Sequence, residues 1–329
     1  MDFELDADQE SLQEGVRAFV EGRVPLDTVR ELEAAGARVD RALWAELGEM
    51  GVFSIALPED QGGLGMGVAE AALVFEELGR GIVPGPLVGT ALAAGILDGA
   101  AAGELVVAVL EPAEPITVVE FPADVDALLL LADDGIRRVD PAALETTPVV
   151  RPTDALTPLA VVTRTSVDGK GVIPAGELVA DAAASARARL VGTTLTAALQ
   201  VGVALRATEL ATQYAKEREQ FGKVIGSFQA VKHLCADMLI RAEVARVAVY
   251  AAAVTLDGRS DDDAERAVAA AKCVAGNAAI QNGKSGIQVH GGNGYTWEFD
   301  IGRYWKRACV LDTQFGNSDE HALHVAEMV

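Results

Sequence analysis

Tyr214-Ala215-Lys216-Glu217-Arg218-Glu219-Gln220-Phe221-Gly222-Lys223-Val224-Ile225-Gly226-Ser227-Phe228-Gln229 interrupts two long apolar periodicities, and its reading decides the fold. Upstream, Leu195, Leu199, Val203, Ala207, Leu210 and Tyr214 recur at steps of three and four, with Arg206, Glu209, Gln213 and Lys216 on another face. That spacing describes one stripe of an α-helix. Downstream, Val231, Leu234, Met238, Ala242, Ala245 and Val249 form a second stripe, for which Ser227 is the expected N-cap and Gly258 the stop. A third helix is expected from about Asp262 to Gly283. Long helices with short connections fold back on one another, so residues 181–329 are expected to form a bundle.

Working outward, the pattern changes between 104 and 180. Leu105 to Leu110, Ile116 to Phe121, Val125 to Leu131 and Leu159 to Thr165 are short β-like runs. Eight of the twelve prolines fall among them, which suits turns and edge strands rather than a helix interior. Residues 1–103 read as helices broken by Gly and Pro. Leu12, Val16, Phe19 and Val20 share one helical face, as do Trp44, Leu47 and Met50, and Pro58 to Gly65 is a loop. The expected organisation is mainly α with a small β domain: a helical domain at 1–103, a reduced β domain at 104–180 and a helical bundle at 181–329.

The formal net charge of −22 argues against nucleic acid or an anionic membrane surface as partner, since both reward a cationic face. No uninterrupted apolar run reaches the roughly 18 residues that span a bilayer, and the acidic start Met1-Asp2-Phe3-Glu4 is unlike a signal peptide. A cytoplasmic location is expected. Cys235, Cys273 and Cys309 are odd in number and far apart, which disfavours disulfides and zinc alike and suggests buried thiols. His321 and His324 could share a helix face, without a recognisable metal motif.

The order helical domain, sheet unit, four-helix bundle resembles the acyl-CoA dehydrogenase family, and three segments carry the likeness. Trp44-Ala45-Glu46-Leu47-Gly48 through Leu57-Pro58-Glu59-Asp60-Gln61-Gly62-Gly63-Leu64-Gly65 is similar to the family's opening segment. Arg218-Glu219-Gln220-Phe221-Gly222-Lys223, followed by Ile225 and Gln229, resembles its R-x-Q-F-G-K-x-I-x-x-x-Q signature. Gln288-Val289-His290-Gly291-Gly292-Asn293-Gly294-Tyr295 resembles its Q-x-x-G-G-x-G-Y turn. The resemblance implies FAD as cofactor, with Arg218, Gln220, Phe221, Gln229, Gln288, Gly291 and Gly292 directed at the flavin of a neighbouring subunit. The residue types suit that role: a guanidinium pairs with pyrophosphate oxygens, and glycines let backbone N–H groups approach a diphosphate.

The departures are as specific as the matches. Where the family carries a T-E-P-x-A-G-S flavin turn, this chain has Leu110-Glu111-Pro112-Ala113-Glu114-Pro115, losing a hydroxyl and gaining a proline with no N–H. The family's catalytic Glu falls on Phe315, and the alternative position that some relatives use falls on Gly192. Neither can accept a proton. Asp312 and Asp319 are expected at the surface or as caps, and Arg307 stands where relatives usually have an acid. By resemblance, such a chain is the short non-catalytic subunit of a heteromer. A partner dehydrogenase subunit would supply the base, in an α2β2 complex that desaturates an acyl-CoA and passes electrons to an electron-transfer flavoprotein. A self-sufficient homomeric dehydrogenase with a relocated base, or a non-enzymatic scaffold or regulatory subunit, are the alternatives.

Overall fold

The computed structural model describes residues 5–111, 116–163, 173–258 and 263–328. Among these, the N-terminal part contains α1 (Ala7–Arg23), α2 (Leu26–Ala35), α3 (Arg41–Glu49), α4 (Val68–Arg80) and α5 (Leu87–Ala93). Seven strands follow: β1 (Val107–Leu110), β2 (Val118–Glu120), β3 (Ala127–Ala132), β4 (Gly135–Val139), β5 (Thr146–Pro148), β6 (Leu159–Val162) and β7 (Glu177–Asp181). The remainder is α6 (Ala182–Glu217), a β8–β9 hairpin (Glu219–Gln220, Lys223–Val224), α7 (Gln229–Leu256), α8 (Ala264–His290), α9 (Ile301–Asp312) and α10 (Ser318–Glu327). The mainly helical architecture with a small sheet region is therefore as read from the sequence.

By contact, the chain divides into two compact units. One contains residues 28–71 and 84–192. Its sheet has the order β1-β3-β4-β7, with β1 parallel to β3 and the other pairs antiparallel, beside a second sheet ordered β2-β6-β5. Ala108, Leu110, Leu128, Leu130, Val139 and Val162 make its apolar core. β4 and β7 escape the sequence reading because Arg137, Arg138 and Glu177 punctuate the apolar positions there, and β5 because Thr146-Thr147-Pro148 has no apolar alternation. Helix and sheet are tied by charge within this unit: Arg38 donates to Asp124 at 2.6 Å and Arg41 to Asp126 at 2.6 Å. Trp44 is fully buried and donates its indole N–H to the Leu105 carbonyl at 3.2 Å.

The other unit contains residues 1–27, 72–83 and 193–329. α4 and α6 meet here backbone to backbone, because the Gly79 and Gly202 positions leave no room for a side chain. Leu195, Leu199, Val203 and Ala207 of α6 are buried, as are Met238, Ala242, Ala245 and Val249 of α7, so both stripes face the core. By length and composition α6 could cross a membrane, although polar residues such as Thr193, Thr194 and Gln200 interrupt its apolar run. However, 83% of its apolar window is buried inside the protein, as in a core helix.

Three sequence expectations are corrected in this unit. Ser227 does not cap α7; its hydroxyl donates to the Val224 carbonyl, and Phe228 occupies the cap position. α8 does not stop at Gly283 but runs to His290, because a Cβ at Gly283 would meet Trp305 and one at Gly286 would meet Ile301: these glycines serve close packing, not termination. The three thiols are half-buried rather than buried, and free, with pKa values raised chiefly by desolvation.

Lys272 shows how α9 is anchored. Its side chain is fully buried on α8, and the ammonium donates to the Leu311 and Asp312 carbonyls at 3.3 and 3.2 Å. Those are C-terminal carbonyls of a helix, where the peptide dipoles present negative charge and no intrahelical donor remains. Lys272→Met should keep much of the volume but strand both acceptors, costing about 1–3 kcal/mol in urea denaturation.

Candidate functional site

α6 ends at Glu217, and the chain reverses through a two-residue turn at Phe221-Gly222 between β8 and β9. Both turn residues have positive φ, +55° and +75°. Glycine adopts that region readily, whereas phenylalanine is strained there. Phe221 is nevertheless 91% exposed, so burial of its ring in this chain does not explain its presence. Its ring meets Phe228 edge-on at 6.2 Å, and Lys223 Nζ lies 4.4 Å from the Phe228 ring centre.

The Ile225 N–H donates to the Arg218 carbonyl at 2.7 Å, which folds the start of α7 back against the end of α6. The Arg218 side chain projects outward, and among the described residues its guanidinium has no hydrogen-bond or ion-pair acceptor. Gln220 donates to the Glu219 carbonyl and remains exposed. Gln229 is the exposed first residue of α7, whose N-terminus no side chain caps. The partial positive charge of those first amides faces outward there.

The glycine turn lies at the end of α8. Gln288, Gly291 and Gly292 are exposed; Gly291 takes φ +60°, ψ −136°, a conformation reserved in practice for glycine. A side chain at Gly291 or Gly292 would meet nothing, so the backbone lies open. The two motifs are joined by contacts that sequence reading missed. Tyr214, one turn before Arg218, stacks on His290 at 4.1 Å and accepts a hydrogen bond from Asn293 at 3.0 Å. The His290 Nδ1–H donates to the Gly286 carbonyl at 2.8 Å, and burial holds the imidazole pKa below its usual range, so the ring is a neutral packing element.

At the proton-acceptor positions, Phe315 is 8% exposed with φ +54°, and its carbonyl accepts from His321 Nε2 at 2.7 Å. Gly192 is buried within α6. Asp312, expected at the surface or as a cap, is half-buried at the end of α9; its carboxylate accepts from Ser318 at 2.5 Å and lies 3.9 Å from Lys272 Nζ. Asp319 is exposed in the first turn of α10. Arg307 is buried and donates to the Val83 carbonyl at 3.1 Å. His321 and His324 contact Phe315 and Glu265 separately, and no metal-binding cluster occurs among the described residues. The reading of Pro115 in the flavin-turn segment falls outside the described residues.

One further feature went unread. Gln229, His233, Ala236, Ile240, Val244 and Val247 follow one another along an exposed face of α7, with Ile240 at 61% exposure. The signal was available, since α7 is apolar on two faces and only one can be turned to its own core.

Comparison with known proteins agrees with this architecture. Residues 6–104 match the acyl-CoA dehydrogenase N-terminal domain and residues 185–329 the acyl-CoA dehydrogenase C-terminal domain. The acyl-CoA dehydrogenase IpdE2 of Mycolicibacterium smegmatis is 35% identical over 92% of this chain and 93% of its own length. The acyl-CoA dehydrogenase FadE34 of Mycobacterium tuberculosis is 36% identical over 96% of this chain, which spans only 46% of that protein. Among solved structures, the ChsE4-ChsE5 complex from Mycobacterium tuberculosis superposes with a TM-score of 0.83 at 23% identity, covering 99% of this chain and 98% of the other. The chain belongs to the acyl-CoA dehydrogenase family, whose members are oxidoreductases acting on CH–CH groups.

Proposed function

We propose that this chain is the non-catalytic subunit of a heteromeric, FAD-dependent acyl-CoA dehydrogenase, and that it completes a flavin site belonging to its partner. The observation that carries this reading is an exposed Arg218 guanidinium with no acceptor among the described residues and an open Gly291-Gly292 backbone, on helices joined by the Tyr214–His290 stack, in a chain where Phe315 and Gly192 stand at both expected base positions. The donor set fits the cofactor's anionic part. Arg218 offers paired N–H groups, Gln229 and Gln288 offer amides, and the exposed α7 N-terminus favours negative charge.

PigA, a solved protein of this fold, carries FAD; in an acyl-CoA dehydrogenase complex the bound flavin would accept the β-hydrogen of the acyl chain as hydride. In the proposed complex the α-proton goes to a carboxylate of the partner. This chain's residues bind and orient. Arg218 would hold the cofactor's pyrophosphate, Gly291 and Gly292 would let the main chain approach it, and the Tyr214–His290 stack ties the two motifs together. The exposed α7 face beside Gln229 suits burial against the partner subunit. The ChsE4-ChsE5 complex, a two-component assembly with the same fold, supports a heteromer. A bulky acyl tail and an electron-transfer flavoprotein as acceptor complete the proposal.

The test is co-expression with the partner and measurement of flavin per heterodimer. Arg218→Ala should leave the complex assembled but weaken FAD retention by roughly 1.5–3 kcal/mol, about one to two orders of magnitude in affinity. Unchanged flavin content in an intact mutant complex would point to a scaffold. A yellow isolated chain with acceptor-dependent turnover would point to a self-sufficient enzyme.

A further inference from the structure

Glu76 and Glu77 are consecutive on α4 and both are buried, yet they are treated differently. Glu77 receives two guanidiniums: Arg17 of α1 at 2.8 and 3.0 Å and Arg80 of α4 at 3.1 Å. Glu76 receives only neutral donors, the Gln13 amide of α1 at 3.1 Å and the Tyr250 hydroxyl of α7 at 3.0 Å. The remaining charges near it are engaged elsewhere. Arg246 on α7 pairs with Glu243 at 2.6 Å, and Arg80 and Arg206 both pair with Glu209 on α6. On the α6 side, Gly202 brings only backbone against the Glu76 carbonyl.

A buried carboxylate beside a second carboxylate, with neutral partners, is costly when ionised and comfortable when protonated. Its link to α1 is the Gln13 amide, which fastens that helix to α4 together with the Arg17–Glu77 pair and the buried Val16 and Val20. We propose that Glu76 is a proton-operated latch for α1: protonated, it holds the helix against α4 and α7; ionised, it favours release of α1, which lets water reach the carboxylate. Burial pushes the Glu76 pKa up to about 7, which places the transition near neutrality.

The sign follows from linkage. The folded-state pKa is raised, so the group's contribution to α1 docking is fully present below the ordinary carboxylate pKa and is lost as pH rises through about 7. Hydrogen exchange of the full chain, corrected for the intrinsic pH dependence of the chemistry, provides the test. Protection of α1 amides should fall about tenfold between pH 6 and pH 8.5 while α8 amides hold steady. Glu76→Gln should make α1 protection independent of pH. Infrared spectra should independently show a protonated-carboxyl band at pH 6 that disappears by pH 8.5 and is absent from Glu76→Gln. Equal loss of protection in α1 and α8, persistence of the pH dependence in Glu76→Gln, or no protonated band at pH 6 would each overturn the latch.

Discussion

Gly202→Ala is expected to destabilise the protein by about 3 kcal/mol or more, or to prevent folding of the bundle, although the same change in an ordinary helix interior stabilises by roughly 0.5–1 kcal/mol. The reversal of sign is the informative part. A Cβ at Gly202 would lie 1.9 Å from the Glu76 carbonyl oxygen and 2.6 Å from the Arg80 nitrogen, both backbone atoms that no rotamer change can move. The reciprocal contact is equally tight, since a Cβ at Gly79 would stand 2.2 Å from the Leu199 carbonyl oxygen. Relief requires α4 and α6 to separate, which would break the packing around Val203 and Ala207 and stretch the Arg80–Glu209 ion pair between the two helices. Urea denaturation of purified variants decides the matter. A stability equal to or above that of the parent protein would show that the two helices have room to yield.

Trp44→Ala is the second large effect, expected at about 3–5 kcal/mol. The indole is fully buried, lies 4.9 Å from the Phe53 ring, and covers Gly85, where a Cβ would sit 2.3 Å from the indole edge. Truncation therefore leaves a cavity between rigid backbone segments, and the Leu105 carbonyl loses its donor at the entrance to β1. Trp44→Phe should recover much of the packing but not that hydrogen bond, so the difference between the two variants isolates the cavity. Denaturation followed by circular dichroism would measure both, and losses below about 1 kcal/mol for Trp44→Ala would contradict this account.

What could be read from the chain, and what could not, divides along physical lines. The α6 and α7 stripes were legible because Leu195 to Ala207 and Met238 to Val249 obey a local period that burial then enforces. Arg218, Gln229, Gly291 and Gly292 were legible as a pattern of residue types. Gly283 misled because glycine stops a helix or admits a neighbour, and only the position of Trp305 settles which. The Tyr214–His290 stack joins residues distant in sequence, and no spacing rule announces it. The paired strands β4 and β7 were hidden for a related reason, since Arg137 and Glu177 look like loop residues until their neighbours across the sheet are known.

The outward face of α7 carries a cost for the cell that makes this protein. Ile240, Val244 and Val247 are unshielded in the single chain, alongside the bare ring of Phe221. Copies made in excess over their companion would tend to stick to one another through these greasy surfaces. In the proposed heteromer, balanced dosage of the two polypeptides, such as translation from one message would supply, becomes a condition of keeping both in use.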